Sequence, residues 1–238
     1  VGARPIPVAL DSALAIDLSA MARSIRPQTR MIFLCNPNNP TGTVIAHPDF
    51  QSFLEDLPPH IVTVVDEAYI EFVRNARSAR SIDCVNGAGT VVTLRTFSKA
   101  YGLAGLRIGY GIMSAELAGY LHRVRLPFNV SIPAQVGALA ALEDTDFLDK
   151  TVALVHEGTE FLQKSLTEAG IRCFPTEANF FLIDVEEDAD FIFEQMLRQG
   201  VIVRSMTSYG YPRYIRVNVG LPQENRRFVA ALREVMGR

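Results

Sequence analysis

The sequence predicts an α/β protein with a mostly parallel sheet in a large domain and a smaller C-terminal α/β domain. Short apolar runs in its first half are continuous rather than alternating, which is typical of strands covered on both faces. These runs are MIFLC at 31–35, IVTVV at 61–65, TVVTL at 90–94 and RIGYGIM at 107–113. In the last third, short strand-like runs alternate with helical patterns, which indicates a second α/β unit.

The other elements of the first half follow from turn and proline signals. The opening stretch VGARPIPVAL, residues 1–10, is expected to form a strand already inside a domain. A helix is expected over 48–57, because the Pro58–Pro59 pair would end it. Another helix is expected over 133–142, after a break marked by proline.

The second half begins with a long amphipathic helix, expected over 147–169. Its apolar residues recur at helical spacing, and Gly170 is suited to follow its last turn. Beyond it we expect the strands NFFLIDV, VIVRSM and YIRVNV, a helix over 190–199 and a last helix from about residue 223. The expected division is a large domain over 1–145 and a small domain over 146–238.

Composition argues against several classes of function. The 238 residues are 48% hydrophobic and 21% charged, as in ordinary globular proteins. A net charge of -3 gives no electrostatic case for nucleic acid or an anionic membrane, and no apolar run is long enough to span a membrane. The three cysteines form no CxxC pair and the four histidines show no ligand spacing, so no disulfide framework or metal site is expected. This pattern favours a reducing, cytoplasmic setting.

Polar side chains follow three of the strand runs. The motifs are NPNNPTG after 31–35, DEAY after 61–65 and RTFSK after 90–94. In open α/β sheets, ligands collect at the carboxyl ends of the strands. We therefore expect one rim to carry Asn39, Asp66, Tyr69, Ser98 and Lys99. The Asn39–Pro40 bond is a candidate cis peptide that would fix the Asn39 side chain.

Lys99 is the candidate nucleophile. Most lysines are solvated surface groups, but Lys99 lies just past a buried strand run and before a glycine-bearing loop. A partly desolvated lysine can lose its proton and attack a carbonyl. A Schiff-base lysine needs an electron sink, and pyridoxal phosphate is the usual one.

That cofactor needs further partners from the chain. Its pyridine nitrogen needs a buried carboxylate, for which Asp66 is suited; the alternative for Asp66 is a turn residue that faces water. The ring 3-oxygen needs hydrogen-bond donors, for which Asn39 and Tyr69 are suited. Candidates for the phosphate, which needs hydroxyl and cationic donors, are Thr96, Ser98 and Arg107.

In this order, the motifs NPNNPTG, VVDEAY and TFSKAYGLAGLRIGY resemble those of pyridoxal-phosphate enzymes of the aspartate-aminotransferase fold type. The pattern SKxxGLAGLRxGY is highly specific, and the likeness extends to YIRVNVG near the C-terminus. Within this superfamily, the stretch GVIVRSMTSYGYPRYIRVNVGLPQENRRF is most similar to histidinol-phosphate aminotransferases. The resemblance implies the fold-type-I architecture and a homodimer.

The resemblance also implies a reaction and roles for residues. The reaction is transamination of histidinol phosphate with 2-oxoglutarate, which gives imidazole acetol phosphate and glutamate in histidine biosynthesis. Lys99 would bind the cofactor and shuttle a proton, with Asp66 and Tyr69 assisting. Arg216 matches the position that grips the anionic group of the substrate, and Arg204 matches a second substrate-facing arginine. The alternative for both arginines is a strand-edge salt bridge.

Other functions remain open at this point. Aromatic amino-acid aminotransferases and threonine-phosphate decarboxylases share the fold and would keep Lys99, Asp66, Asn39, Tyr69 and Arg107. The alternative from another class is a non-catalytic relative, such as a regulatory domain that keeps the cofactor pocket. A pure binding module, however, has no use for a Schiff-base lysine.

The chain departs from the family in its first residues. Family members carry an N-terminal arm, a phosphate-binding loop and a ring-stacking aromatic residue ahead of the point where this chain begins. We therefore expect a cropped sequence with unpaired strand edges and exposed apolar surface. By itself, such a chain is expected to be poorly stable and inactive.

Overall fold

A computed structural model of the chain describes residues 2–87 and 89–238. The chain divides into two compact units. The first comprises Val1–Asn39 and Thr43–Leu148, and the second comprises Pro40–Gly42 and Asp149–Arg238. The expected boundary near residue 145 lies close to this division, although Pro40–Gly42 belongs to the second unit.

The first unit contains a four-stranded sheet. Its strands, in spatial order, are β1 (Met31–Cys35), β2 (Val62–Asp66), β3 (Thr90–Thr96) and β4 (Gly109–Ile112). The first three strands are parallel, and β4 runs antiparallel to β3. The predicted α/β class with a mostly parallel sheet is therefore confirmed. The carboxyl ends of β1, β2 and β3 lie at one edge of this sheet.

Helices flank the strands of the first unit along the chain. They are α1 (Leu18–Arg23), α2 (His47–Glu55), α3 (Ala115–Val124) and α4 (Ile132–Glu143), and α5 (Thr145–Glu168) continues into the second unit. The predicted helices over 48–57, 133–142 and 147–169 correspond to α2, α4 and α5. Within residues 2–87 and 89–238, no helix combines the length and apolarity needed to cross a membrane.

The strand predicted for residues 1–10 is wrong. The described part of that stretch, residues 2–10, adopts neither strand nor helix. Pro5 and Pro7 have no amide hydrogen to donate to a strand ladder, so regular pairing is disfavoured there.

The edge strand β1 buries one face and exposes the other. Ile32 and Leu34 are 7% and 3% exposed and pack in one core cluster with Phe50 of α2. Met31 and Phe33 alternate with them and are 54% and 68% exposed, because successive side chains of a strand point to opposite faces. The prediction that this strand is covered on both faces is therefore wrong for the described residues. The expected exposed apolar surface is present on this sheet.

The second unit contains an antiparallel sheet. Its strands are β5 (Arg172–Cys173), β6 (Phe180–Asp184), β7 (Arg204–Ser205) and β8 (Tyr214–Asn218), in the spatial order β5-β6-β8-β7, and its helices are α6 (Ala189–Arg198) and α7 (Pro222–Val235). The predicted strand VIVRSM contributes only Arg204 and Ser205 to β7. The core of the unit includes the fully buried Leu162, Phe181 and Ile192.

Replacing Met196 with alanine should lower the free energy of unfolding by about 2–5 kcal/mol, because a deleted core side chain leaves a cavity. Met196 of α6 is fully buried in the core of the second unit. The matched control is Leu197→Ala on the same helix. Leu197 is 46% exposed, and its loss should change stability by no more than about 0.5 kcal/mol. Urea unfolding measures both variants, and equal losses would contradict the described orientation of α6.

Candidate active site

The loop after β1 is anchored by Asn36, the first residue of the motif NPNNPTG. Asn36 is 1% exposed, its Nδ2 donates to the Ala79 carbonyl at 2.9 Å, and its Oδ1 accepts from the Ile45 amide at 2.8 Å. Among the described residues, the cis peptide bond lies at Asn36–Pro37 and not at the predicted Asn39–Pro40. Because Asn36 is buried and bonded on both sides, it holds the start of the loop that leads to Asn39.

Asn39, Tyr69 and Lys99 come together beyond the carboxyl ends of three strands. The Nδ2 atom of Asn39 lies 3.5 Å from the Oη atom of Tyr69, which is at the long limit for a hydrogen bond. The Nζ atom of Lys99 lies 5.4 Å from the centroid of the Tyr69 ring, within cation–π range. Tyr69 is only 7% exposed, so packing restrains its ring. The three side chains therefore meet at one edge of the sheet, as expected from the strand ends.

Lys99 is exposed rather than partly desolvated. The segment that bears it closes into a turn, in which the Gly102 amide donates to the Lys99 carbonyl at 3.0 Å and the Leu103 amide donates to the Phe97 carbonyl at 2.9 Å. A turn at the surface leaves the lysine amine open on the side away from Tyr69. The desolvation expected from the sequence is therefore absent in the described part of the chain.

Asp66 ends β2 and is exposed, where the sequence interpretation required a buried carboxylate. Its Oδ1 accepts a hydrogen bond from the Ala68 amide at 3.0 Å. Asp66 lines an open cavity of about 1240 Å³ together with Phe33 and Leu94. These side chains lie on the sheet face that β1 leaves exposed, which explains why the carboxylate is accessible.

The pKa of the Cys35 thiol depends on burial and on the nearby Asp66 carboxylate. The two residues are partners in the parallel register of β1 and β2. Burial and the negative charge of Asp66 raise the pKa of the Cys35 thiol to about 11. The Sγ atom of Cys35 also donates to the Pro37 carbonyl at 3.3 Å. At neutral pH this thiol is therefore protonated and a poor nucleophile.

The variant Asp66→Asn should make Cys35 react faster with iodoacetamide at pH 8. Removing the carboxylate removes one cause of the raised pKa, and each unit by which the pKa falls increases the thiolate about tenfold. Cys173 is the internal control, because burial alone raises its pKa to about 12. Peptide mass spectrometry measures both rates on cofactor-free protein. An unchanged Cys35 rate would contradict the described placement of Asp66.

The candidate phosphate ligands lie in and after the Lys99 turn. The Thr96 hydroxyl accepts a hydrogen bond from the Ser98 amide at 3.1 Å, which orders the entry to the turn. Arg107 has a left-handed backbone with φ of 52°, and its Nη1 donates to the Ala104 carbonyl at 2.8 Å. The hydroxyl and guanidinium groups expected from the sequence are thus present, with Arg107 folded back on its own loop.

The two candidate substrate arginines lie in the second unit. Arg204 and Arg216 are partners in the antiparallel register of β7 and β8. Directly paired residues share a face of a sheet, so the two side chains are neighbours. The Cζ atom of Arg216 lies 4.8 Å from the Phe180 ring centroid, and that of Arg204 lies 5.7 Å from the Tyr209 ring centroid. Aromatic rings therefore accompany both guanidinium groups.

A buried ion pair between Glu67 and Arg95 was not predicted from the sequence. The Nε and Nη2 atoms of Arg95 lie 3.0 Å and 2.8 Å from Oε2 of Glu67. Burial alone would lower the pKa of Arg95, but the hydrogen bonds and charge of Glu67, together with a smaller contribution from Tyr110, outweigh it and raise that pKa above its ordinary value. The sequence signal was the motif DEAY, in which Glu67 stands between Asp66 and Tyr69.

A protein-family model matches nearly the whole chain. The family model for aminotransferase class I and II matches residues 1–232. The chain belongs to this family. The resemblance read from the motifs around Lys99 is thereby confirmed.

The chain is similar to curated histidinol-phosphate aminotransferases. It is 44% identical to the one from Moorella thermoacetica over 221 residues, and this alignment covers 92% of the chain and 57% of the Moorella protein. It is 47% identical to the one from Desulfotalea psychrophila over 223 residues, and this alignment covers 92% of the chain and 59% of the Desulfotalea protein. The chain thus spans less than two thirds of the length of these relatives.

A solved structure supports the same fold. The crystal structure of histidinol-phosphate aminotransferase from Sinorhizobium meliloti, in complex with pyridoxal-5'-phosphate, matches with a TM-score of 0.90 at 28% identity. The match covers 98% of this chain and 65% of the Sinorhizobium chain. The expected fold-type-I architecture is therefore confirmed.

Proposed function

We propose that the protein is a pyridoxal-phosphate-dependent aminotransferase that transfers the amino group of histidinol phosphate to 2-oxoglutarate. The products are imidazole acetol phosphate and glutamate. The observation that carries the proposal is the cluster of Asn39, Tyr69 and Lys99, in which the lysine amine lies 5.4 Å from the Tyr69 ring. Identities of 44% and 47% to two histidinol-phosphate aminotransferases support it. A homodimer is part of the proposal.

The residues present fit pyridoxal phosphate by the chemistry of their side chains. Lys99 offers an amine to the cofactor aldehyde, Asn39 and Tyr69 offer hydrogen-bond donors to the 3-oxygen, and Asp66 offers a carboxylate to the ring nitrogen. When bound, the cofactor supplies an electron sink for the charge left at the substrate Cα after its proton leaves. The residues proposed to hold the phosphate are Thr96, Ser98 and Arg107.

Lys99 is proposed both to hold the cofactor and to move the proton. With the cofactor bound, the Nζ atom of Lys99 would move the proton that leaves the substrate Cα. Proton transfer by a positioned side chain typically contributes about 10²–10⁴-fold to the rate. The buried Tyr69 ring limits the positions that the amine can take, because Nζ lies against it.

Arg204 and Arg216 are proposed to bind the anionic group of the substrate. A guanidinium group presents paired donors that match phosphate and carboxylate oxygens. Their pairing across β7 and β8 supports joint action on one anion. The proposed substrates, histidinol phosphate and 2-oxoglutarate, both carry such groups.

Substrate assays on the full-length protein test the proposal. Glutamate-dependent transamination of imidazole acetol phosphate should show a higher kcat/KM than transamination of aromatic 2-oxo acids. No CO₂ should be released from threonine phosphate. A preference for aromatic substrates or release of CO₂ would assign one of the related activities instead. Folded, cofactor-loaded protein without any turnover would favour a non-catalytic relative.

A further inference from the structure

The carboxylate of Glu67 is fully enclosed and fully bonded. The Glu67 side chain is 0% exposed, and that of Arg95 is 13% exposed. Oε1 accepts hydrogen bonds from the backbone amide of Ser81 at 2.6 Å and from its hydroxyl at 2.8 Å, while Oε2 accepts two from Arg95. The Ser81 hydroxyl also lies 2.7 Å from the hydroxyl of the buried Thr93. Glu67 therefore has its hydrogen-bond partners inside the protein.

The pair joins the two segments that carry the proposed catalytic groups. Glu67 stands between Asp66 and Tyr69 on the segment that follows β2, and Arg95 lies near the end of β3, just ahead of the turn that bears Lys99. The backbone makes a second link, because the Glu67 amide donates to the Leu94 carbonyl at 2.8 Å. Two N–H groups of Arg95 converge on the single oxygen Oε2, and Ser81 holds Oε1, so the pair restrains direction as well as distance between the two segments.

The pair acts from the sheet face that lies away from the cavity. Leu94 is the register partner of Asp66 and lines the same cavity. Arg95 is the next residue of the strand and so points to the opposite face. Thr93 shares that face with it and is buried. The pair is thus placed to hold the catalytic segments without contacting a ligand in the cavity.

We propose that Glu67 and Arg95 are positioning residues, which set the placement of Tyr69 relative to Lys99. This inference rests on the proposed function. A buried ion pair is often no more stabilising than apolar residues of the same volume, so stability alone does not account for it. Its proposed role is to fix orientation: it keeps the Lys99 amine beside the Tyr69 ring, with Nζ at 5.4 Å from the ring centroid.

The test uses Glu67→Gln, Arg95→Lys and the double variant in the full-length protein. Displacing reacting groups by about 1 Å can cost about 10²-fold, so each single variant should lower kcat by about that factor and leave KM nearly unchanged. The double variant should lose about as much as either single variant, because both break the same unit. The induced circular dichroism of bound pyridoxal phosphate should fall, since it depends on how the cofactor is oriented.

The control is Asp184→Asn, which breaks the ion pair between Asp184 and Arg213 in the second unit, at 3.1 Å. It should lower stability without changing kcat or the dichroism of the cofactor. The inference is overturned if Glu67→Gln and Arg95→Lys lose stability but keep wild-type kcat and dichroism in the folded fraction. The inference is also overturned if the double variant loses kcat by the product of the two single-variant factors.

Two outcomes separate this inference from the proposed function. Should Glu67→Gln fail to fold, Arg95→Lys, which keeps the charge, carries the same test with the same expected results. Wild-type protein without transamination activity would reject the proposed function, whereas an active wild type with unaffected variants rejects the positioning role alone.

Discussion

Replacing Lys99 with alanine is expected to lower kcat for transamination by roughly 10⁴-fold, because the same amine is proposed both to hold the cofactor and to move the proton. Alanine removes both functions while leaving the surrounding turn intact. That turn is held by backbone hydrogen bonds from Gly102 to Lys99 and from Leu103 to Phe97, which do not involve the lysine side chain. The loss should therefore appear in kcat without loss of folded protein.

The chain offers a matched control for this variant. Lys164 is an exposed lysine of α5, so Lys164→Ala should keep wild-type kcat. Steady-state assays and thermal unfolding of both variants separate a chemical defect from a folding defect. A Lys99→Ala protein that keeps a substantial fraction of wild-type activity would show that another group moves the proton.

Asp66→Asn is expected to lower kcat by about 10²–10³-fold, the size typical of losing one preorganised electrostatic partner of a reacting group. An amide keeps the shape of the side chain but carries no charge to hold the cofactor ring nitrogen protonated. Asp56 is exposed just after α2, and Asp56→Asn provides the control for the same chemical change. Steady-state kinetics of both variants measures the effect.

The same Asp66→Asn protein also reports on Cys35, and the two readouts can disagree in an informative way. Faster alkylation of Cys35 together with lower kcat agrees with a carboxylate that lies beside β1 and serves the cofactor. Faster alkylation with wild-type kcat would agree with the position of the carboxylate beside β1 but contradict its proposed catalytic role.

The parallel part of the sheet could be predicted because its strands are continuous apolar runs followed by polar motifs. The approach of Asn39, Tyr69 and Lys99 follows from this topology, since parallel strands end at the same edge. The direction of β4 was left open by its apolar run. The connection from β3 holds only the short 3-10 turn Ala104–Leu106, whereas a parallel crossover usually contains a helix.

Burial was harder to predict than position. Glu67 and Asp66 are adjacent acids, yet Glu67 is 0% exposed and Asp66 is exposed. The difference depends on Arg95 and Ser81, which lie elsewhere in the sequence and meet Glu67 only in the folded sheet. The strand expected for residues 1–10 is absent from the described residues 2–10, where Pro5 and Pro7 lack the amide hydrogens that a strand ladder needs.

Lys99 is proposed to be the residue that holds pyridoxal phosphate. Borohydride reduction of the cofactor-loaded, full-length protein, followed by peptide mass spectrometry, traps the cofactor on the amine that holds it. We expect a phosphopyridoxyl group on the peptide that contains Lys99, with Lys150 and Lys164 unmodified. Modification of another lysine in its place, or none at Lys99 in a protein that turns over, would contradict it.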